Sequence, residues 1–177
     1  MGVTNANDRL AVVTGASRGL GRAIALALAA QGSPVALVAR GRVDLEAVAR
    51  EIEAGGGVAQ AFTADVASEA DVLRIESEIA RSMGKVLIVV NNAGIALRRR
   101  ITEFTLDEWN AVQSSNLTSA FLMCRAFIPH MTGAGYGRII NIAAIMAHVS
   151  IEQRSAYSAT KSAMLGMTRA MALELSR

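Results

Sequence analysis

Leu10-Ala11-Val12-Val13-Thr14-Gly15-Ala16-Ser17-Arg18-Gly19-Leu20-Gly21 is an apolar strand running into a glycine-rich turn, and an Ala/Leu-rich helix follows it. Gly15, Gly19 and Gly21 permit a tight bend, a close backbone approach to an anion and close packing of helix on strand. The helix then presents unpaired N–H groups and the positive end of its dipole to a phosphate. Ser17, Arg18 and Leu20 complete the turn and are read with the glycines as nucleotide-binding residues.

Outward from this turn the alternation of short apolar runs and helical patterns recurs. Strands are predicted at 10–14, 35–39, 58–63, 86–90 and 138–143. Helices are predicted at 19–31, 43–54, 69–83, 106–131 and 154–176, the first stopped by Gly32 and Pro34 and the second by Gly55-Gly56-Gly57. Strands alternating with helices imply an α/β, Rossmann-like, doubly wound parallel sheet with right-handed crossovers. Strand order 3-2-1-4-5 places a ligand crevice at the strands' C-terminal ends, near the switch between strands one and four.

Composition fits one packed domain over residues 9–177, with a polar, disordered segment at 1–8. Of 177 residues 52% are apolar and only 4% aromatic, so the core is built from Ala, Val, Ile and Leu, as helices on a buried parallel sheet require. The net charge of +3 is spread along the chain and does not argue for nucleic acid. Cys124, the sole cysteine, lies in an apolar stretch and is read as a small core residue, which leaves no intramolecular disulfide. No basic start with an apolar run behind it and no stretch of about 20 apolar residues appears, so a cytoplasmic setting without a membrane partner is expected.

A second cluster lies near the end of the chain. Tyr157 and Lys161, in Tyr157-Ser158-Ala159-Thr160-Lys161, are spaced to share one helix face. An ammonium beside a phenol favours its ionised form and readies it for proton exchange. A dinucleotide turn together with such a tyrosine points to a pyridine-nucleotide oxidoreductase.

The spacing Thr14-Gly15-x3-Gly19-x-Gly21 resembles the short-chain dehydrogenase/reductase family. So do Asn91-Asn92-Ala93-Gly94 after the fourth strand, Asn116 in the long helix, and Tyr157-x3-Lys161. The likeness runs from about residue 8 to the last residue, and is nearest in feel to 3-oxoacyl-carrier-protein reductases and gluconate 5-dehydrogenases. It implies hydride transfer between nicotinamide and a carbonyl or alcohol, on a 3-oxoacyl or polyol/ketose-like substrate. Tyr157 is then the proton donor, and Lys161 the residue that holds the nicotinamide ribose. Asn116 anchors a water relaying protons to Lys161, Asp65 and Val66 border the adenine, and Asn92, Ala93 and Gly94 pass beneath the cofactor. The long helix near 106–131 and the last helix near 154–176 are expected to form a homodimer or homotetramer.

Cofactor choice is read from the second strand. NAD sites place an acidic residue at its end, but here Val38-Ala39-Arg40 follows and no carboxylate appears before Asp44. Arg40 and Arg18 together favour a 2′-phosphate, and therefore NADP over NAD.

Two departures from the family pattern weaken the expectation of turnover. The family serine thirteen residues before the tyrosine falls on Ala144, which has no donor; losing one oxyanion donor costs about 10²–10³ in rate. His148 and Ser150 are the nearby groups that could substitute. Family domains also continue past the last helix with a sixth and a seventh strand, so the chain is expected to be truncated, with the strand carrying Ile139, Ile140 and Ile142 as an open apolar edge. The rival reading is a non-catalytic, nucleotide-binding or oligomerising pseudo-enzyme.

Three features carry less. Arg98-Arg99-Arg100 is read as a solvated loop, with contact to an acidic substrate as the alternative. His130 and His148 lack metal-ligand spacing, so no metal is expected. Trp109 is read as a packing residue.

Overall fold

The computed structural model describes residues 9–176, and the expectation for residues 1–8 lies outside the described residues. Five parallel strands pair in the order β3-β2-β1-β4-β5, where β1 is Leu10–Thr14, β2 Val35–Ala39, β3 Ala59–Thr63, β4 Val86–Asn91 and β5 Arg138–Asn141. The helices are α1 Gly19–Ala30, α2 Arg42–Ala54, α3 Glu69–Ser82, α4 Leu106–Gln113, α5 Ser119–Met131 and α6 Ser155–Leu175.

Every residue of β1 and β4 is buried, and strands buried on both faces read as continuous apolar runs rather than as alternation. Their side chains still divide between two cores. Leu10 and Val12 pack on one face with Val72, Ile75 and Ile79 of α3 and Met123 and Phe127 of α5. Ala11 and Val13 pack on the other with Ala25 and Ala29 of α1 and Leu45, Val48 and Ile52 of α2. Small α1 residues let that helix lie close to the sheet, which fixes where its N-terminus points.

Local signals account for most helix ends. Ser68 caps α3 by accepting the Asp71 N–H, and Thr105 and Glu108 form a reciprocal capping box at α4. The predicted long helix, however, is not uniform. Ser114–Thr118 winds as a π-turn between α4 and α5, which places an extra residue in the coil and re-aims Asn116. β5 also ends at Asn141, earlier than expected, although the Ile142 N–H still donates to the Asn91 carbonyl at 2.9 Å.

β5 is an edge strand among the described residues: it pairs only with β4, and Ile140 is 43% exposed. Its free side borders a groove of about 820 Å³ closed by Ile128 and Met131 of α5 and by Met171 and Leu175 of α6. Cys124 is buried, and burial pushes its thiol pKa up; it accepts a hydrogen bond from the Asn91 amide. His130 Nδ1 accepts the Val86 N–H at 3.1 Å and Nε2 lies 2.6 Å from Glu76, so it ties α5 to β4 and α3. Trp109 packs edge-on against Phe104.

Candidate active site

Thr14 stitches the switch point together. Its Oγ1 donates to the Val90 carbonyl and accepts the N–H groups of Asn92 and Ala93, each at 3.0 Å. The Asn92 amide donates back to the Thr14 carbonyl at 2.9 Å. The end of β1 and the loop after β4 are therefore one rigid unit, and both open on the same cleft.

That cleft measures about 430 Å³. Gly15, Ser17, Arg18, Leu20 and Gly21 form one wall, and Asn92, Ala93 and Gly94 form another. Arg40 and Val66 lie at the ends of β2 and β3 and also line it. The glycines fit a close cradle for different reasons. Gly19 has φ +56°, a left-handed conformation, whereas a Cβ on Gly21 would sit 2.3 Å from the Gly15 carbonyl oxygen. Arg18 and Arg40 are both exposed, and neither forms an ion pair among the described residues. Asp44 joins them on the wall.

Four expected cofactor residues stand apart from the lining: Gly19, Asp65, Tyr157 and Lys161. Gly19 shapes the turn without facing the cleft. Asp65 is exposed, and its carboxylate accepts the Ala67 N–H at 3.0 Å while its own N–H donates to Asp71.

Asn116 connects this cleft to α6. The side chain is fully buried; its oxygen accepts the Ile95 N–H at 2.7 Å, and its amide donates to the Ile95 carbonyl and to Thr160 Oγ1 at 3.1 Å. Ile95 lines the cleft, as does Ser115, and Thr160 immediately precedes Lys161. A water held by Asn116 would have to use the remaining lone pair or the backbone carbonyl, because the amide protons are taken.

Tyr157 and Lys161 do not line this cleft; they sit beyond Asn116 on α6. The Lys161 ammonium lies 5.7 Å from the Tyr157 ring centroid and donates to the Ile142 carbonyl at 2.6 Å. Only 4% of Lys161 is exposed, and this desolvation lowers its pKa from the ordinary lysine value. The amine thus lies near the tyrosine ring and is tethered to the chain leaving β5.

The substitute groups are placed otherwise. Ala144 is half-buried in extended backbone at φ −156°, which any residue adopts. Ser150 Oγ is 2.6 Å from Ser158 Oγ, and His148 is exposed. No group of three metal-ligating side chains occurs among the described residues. Thr14, Ser115 and Thr160 were not singled out by the sequence as site residues; a hydroxyl closing a strand before the glycines is the signal that marks Thr14.

Comparison with known proteins now decides the family. Residues 9–177 match the short chain dehydrogenase family. The chain belongs to it. The chain is 36% identical over 168 residues to D-threitol dehydrogenase of Mycolicibacterium smegmatis, covering 95% of this chain and 65% of the relative. It is 37% identical to a 3-oxoacyl-(acyl-carrier-protein) reductase of Pseudomonas aeruginosa, with 94% and 68% covered. The chain therefore spans about two thirds of the length of these relatives. A crystal structure of a metagenomic short-chain oxidoreductase in complex with NADP superposes with a TM-score of 0.92 at 36% identity, covering 96% of this chain and 77% of the other. The expected fold is the observed one, and no helix among the described residues is long and apolar enough to cross a membrane.

Proposed function

We propose that this chain supplies the NADP-binding and proton-transfer parts of a carbonyl/alcohol oxidoreductase, acting on a 3-oxoacyl or polyol/ketose-like substrate. The observation that carries the reading is the Ile95–Asn116–Thr160 bridge, which ties the wall of the glycine cleft to the helix turn bearing Tyr157 and Lys161.

The residues present fit a dinucleotide. Gly15 and Gly21 leave no room for a side chain between the glycine turn and Asn92, and Arg18 and Arg40 give the exposed end of the cleft two cations without ion pairs among the described residues. Nicotinamide supplies hydride chemistry when bound. The chain's part is orientation and proton handling. Ser17, Leu20, Asn92, Ala93 and Gly94 hold the ligand along the cleft, with Val66 beneath the adenine and Asp65 at its edge. Tyr157 donates a proton to the oxygen that becomes the alcohol, and Lys161 holds the ribose side of the site.

Ala144 weakens this chemistry, because the substrate oxygen lacks one donor. It also favours the second reading, a nucleotide-binding module without turnover. Exposed Leu106, Phe121 and Leu173 on α4, α5 and α6 support a homodimer or homotetramer through those helices.

Two measurements test the proposal: dissociation constants for NADPH and NADH, and NADPH oxidation with a ketone panel before and after Ala144→Ser. Tighter NADPH binding and turnover raised about 10²–10³-fold by the serine are expected. NADPH binding with no turnover in either form would favour the module. NADH binding tighter than NADPH would refute the two-arginine reading.

A further inference from the structure

Arg154 stands at the mouth of α6, three residues before Tyr157, and its position is unusual for an arginine. The residue is half-buried, and its Nε is buried with no hydrogen-bond partner. Its guanidinium lies 5.7 Å from the Tyr157 ring centroid and forms no ion pair among the described residues. Glu152, the nearest acid in sequence, is exposed and does not pair with it. Ser155 Oγ, at the next position, is likewise buried and unpartnered.

Buried donors are nearly always satisfied, so a charged one left without an acceptor calls for an explanation, and an anionic ligand is one that fits an arginine. The surroundings reinforce the sign of that ligand. The Arg99 N–H donates to the Gln153 carbonyl at 3.3 Å, which draws the Arg98-Arg99-Arg100 loop against the start of α6. Glu108 neutralises Arg99, whereas Arg98 and Arg100 are exposed and without ion pairs among the described residues. Gln153 itself has φ +63°, a left-handed conformation unusual for a residue other than glycine and of the kind held at ligand sites.

We infer that Arg154 binds the carboxylate of a short oxo or hydroxy acid whose reacting carbon faces Tyr157. This inference rests on the oxidoreductase reading above and narrows its substrate class. The guanidinium lies 5.7 Å from the Tyr157 ring centroid, so the anion it holds and the oxygen that Tyr157 reaches would belong to one small molecule. The planar fork of arginine suits a carboxylate, which it grips through two parallel N–H donors. Arg98 and Arg100 steer the acid in without fixing it.

The test uses binding, because Ala144 weakens turnover. Acetoacetate and methyl acetoacetate are titrated calorimetrically into the chain saturated with NADP⁺, with inorganic phosphate as a third arm. Acetoacetate should bind about tenfold or more tightly than its ester, as expected for a charged hydrogen bond. Arg154→Gln should erase the difference and Arg154→Lys should keep part of it, both with NADP⁺ affinity unchanged. Equal binding of acid and ester by the wild-type chain, or an acid preference that survives Arg154→Gln, would overturn the inference alone. Phosphate binding more tightly than acetoacetate and lost in Arg154→Gln would overturn the assignment to a carboxylic acid. Failure of NADP⁺ to bind at all would sink the oxidoreductase reading, and this inference with it.

Discussion

The Asn116 amide donates to Thr160 Oγ1 at 3.1 Å, one residue before Lys161. The same side chain holds both backbone groups of Ile95. One buried side chain thus joins the loop after β4 to α6.

Asn116→Ala should therefore be costly. It leaves Ile95 and Thr160 groups without partners in a buried setting, worth about 2–4 kcal/mol together. Thermal unfolding should show a fall in Tm of about 5–10 °C for a chain of this size. An unchanged Tm would mean that the bridge contributes nothing to the fold.

Two glycine substitutions should separate crowding from backbone conformation. In Gly21→Ala the new methyl meets the Gly15 carbonyl at 2.3 Å and the Asn92 amide at 2.5 Å, so the phosphate turn must shift. In Gly19→Ala nothing lies within 4 Å and only the positive φ is penalised, at about 1–2 kcal/mol. Gly21→Ala should lose NADPH binding the more severely in a titration, and equal losses would contradict the crowded geometry.

Charge at the outer end of the cleft should set cofactor preference. Arg18→Ala and Arg40→Ala are each expected to weaken NADPH binding about tenfold, the worth of one charged hydrogen bond to phosphate. NADH binding should barely move. Parallel losses for both nucleotides would assign the arginines to the shared pyrophosphate instead.

Lys161 gives a pH dependence of definite sign. Desolvation lowers its pKa in the folded chain below the ordinary lysine value. Between these two pKa values the unfolded chain binds more protons, so stability from this group rises with pH. Lys161→Met should accordingly be more stable than the wild type near neutral pH without cofactor, and its advantage should shrink as pH approaches about 10. Thermal melts across that range check this, and an advantage that grows with pH would reverse the assignment.

Much of the fold was legible because β1, β2 and β4 are apolar runs set off by glycine or polar turns, and sheet order follows from the alternation with helices. The glycine turn was legible for a related reason: the positive φ of Gly19 and the lack of room beside Gly21 dictate glycine there. Asn116 could be placed in a helix but not aimed, since Ser114-Ser115-Asn116-Leu117-Thr118 carries no local sign of a π-turn. The position of Asp65 was equally hidden, because a short local turn to Ala67 engages its carboxylate. Arg154 went unnoticed, because a missing partner is a property of space and not of spacing.

The wide turn at Ser114–Thr118 also makes chain length, as well as composition, a constraint on this segment. Removing one residue between 113 and 119 would let the coil close up as a regular α-helix, because the extra residue that widens it would be gone. Asn116 would be re-aimed and lose Ile95, while α5 would keep its facing on the sheet. Exchanges of residue type there should be tolerated far better than a single deletion, and grafts from relatives must preserve the count.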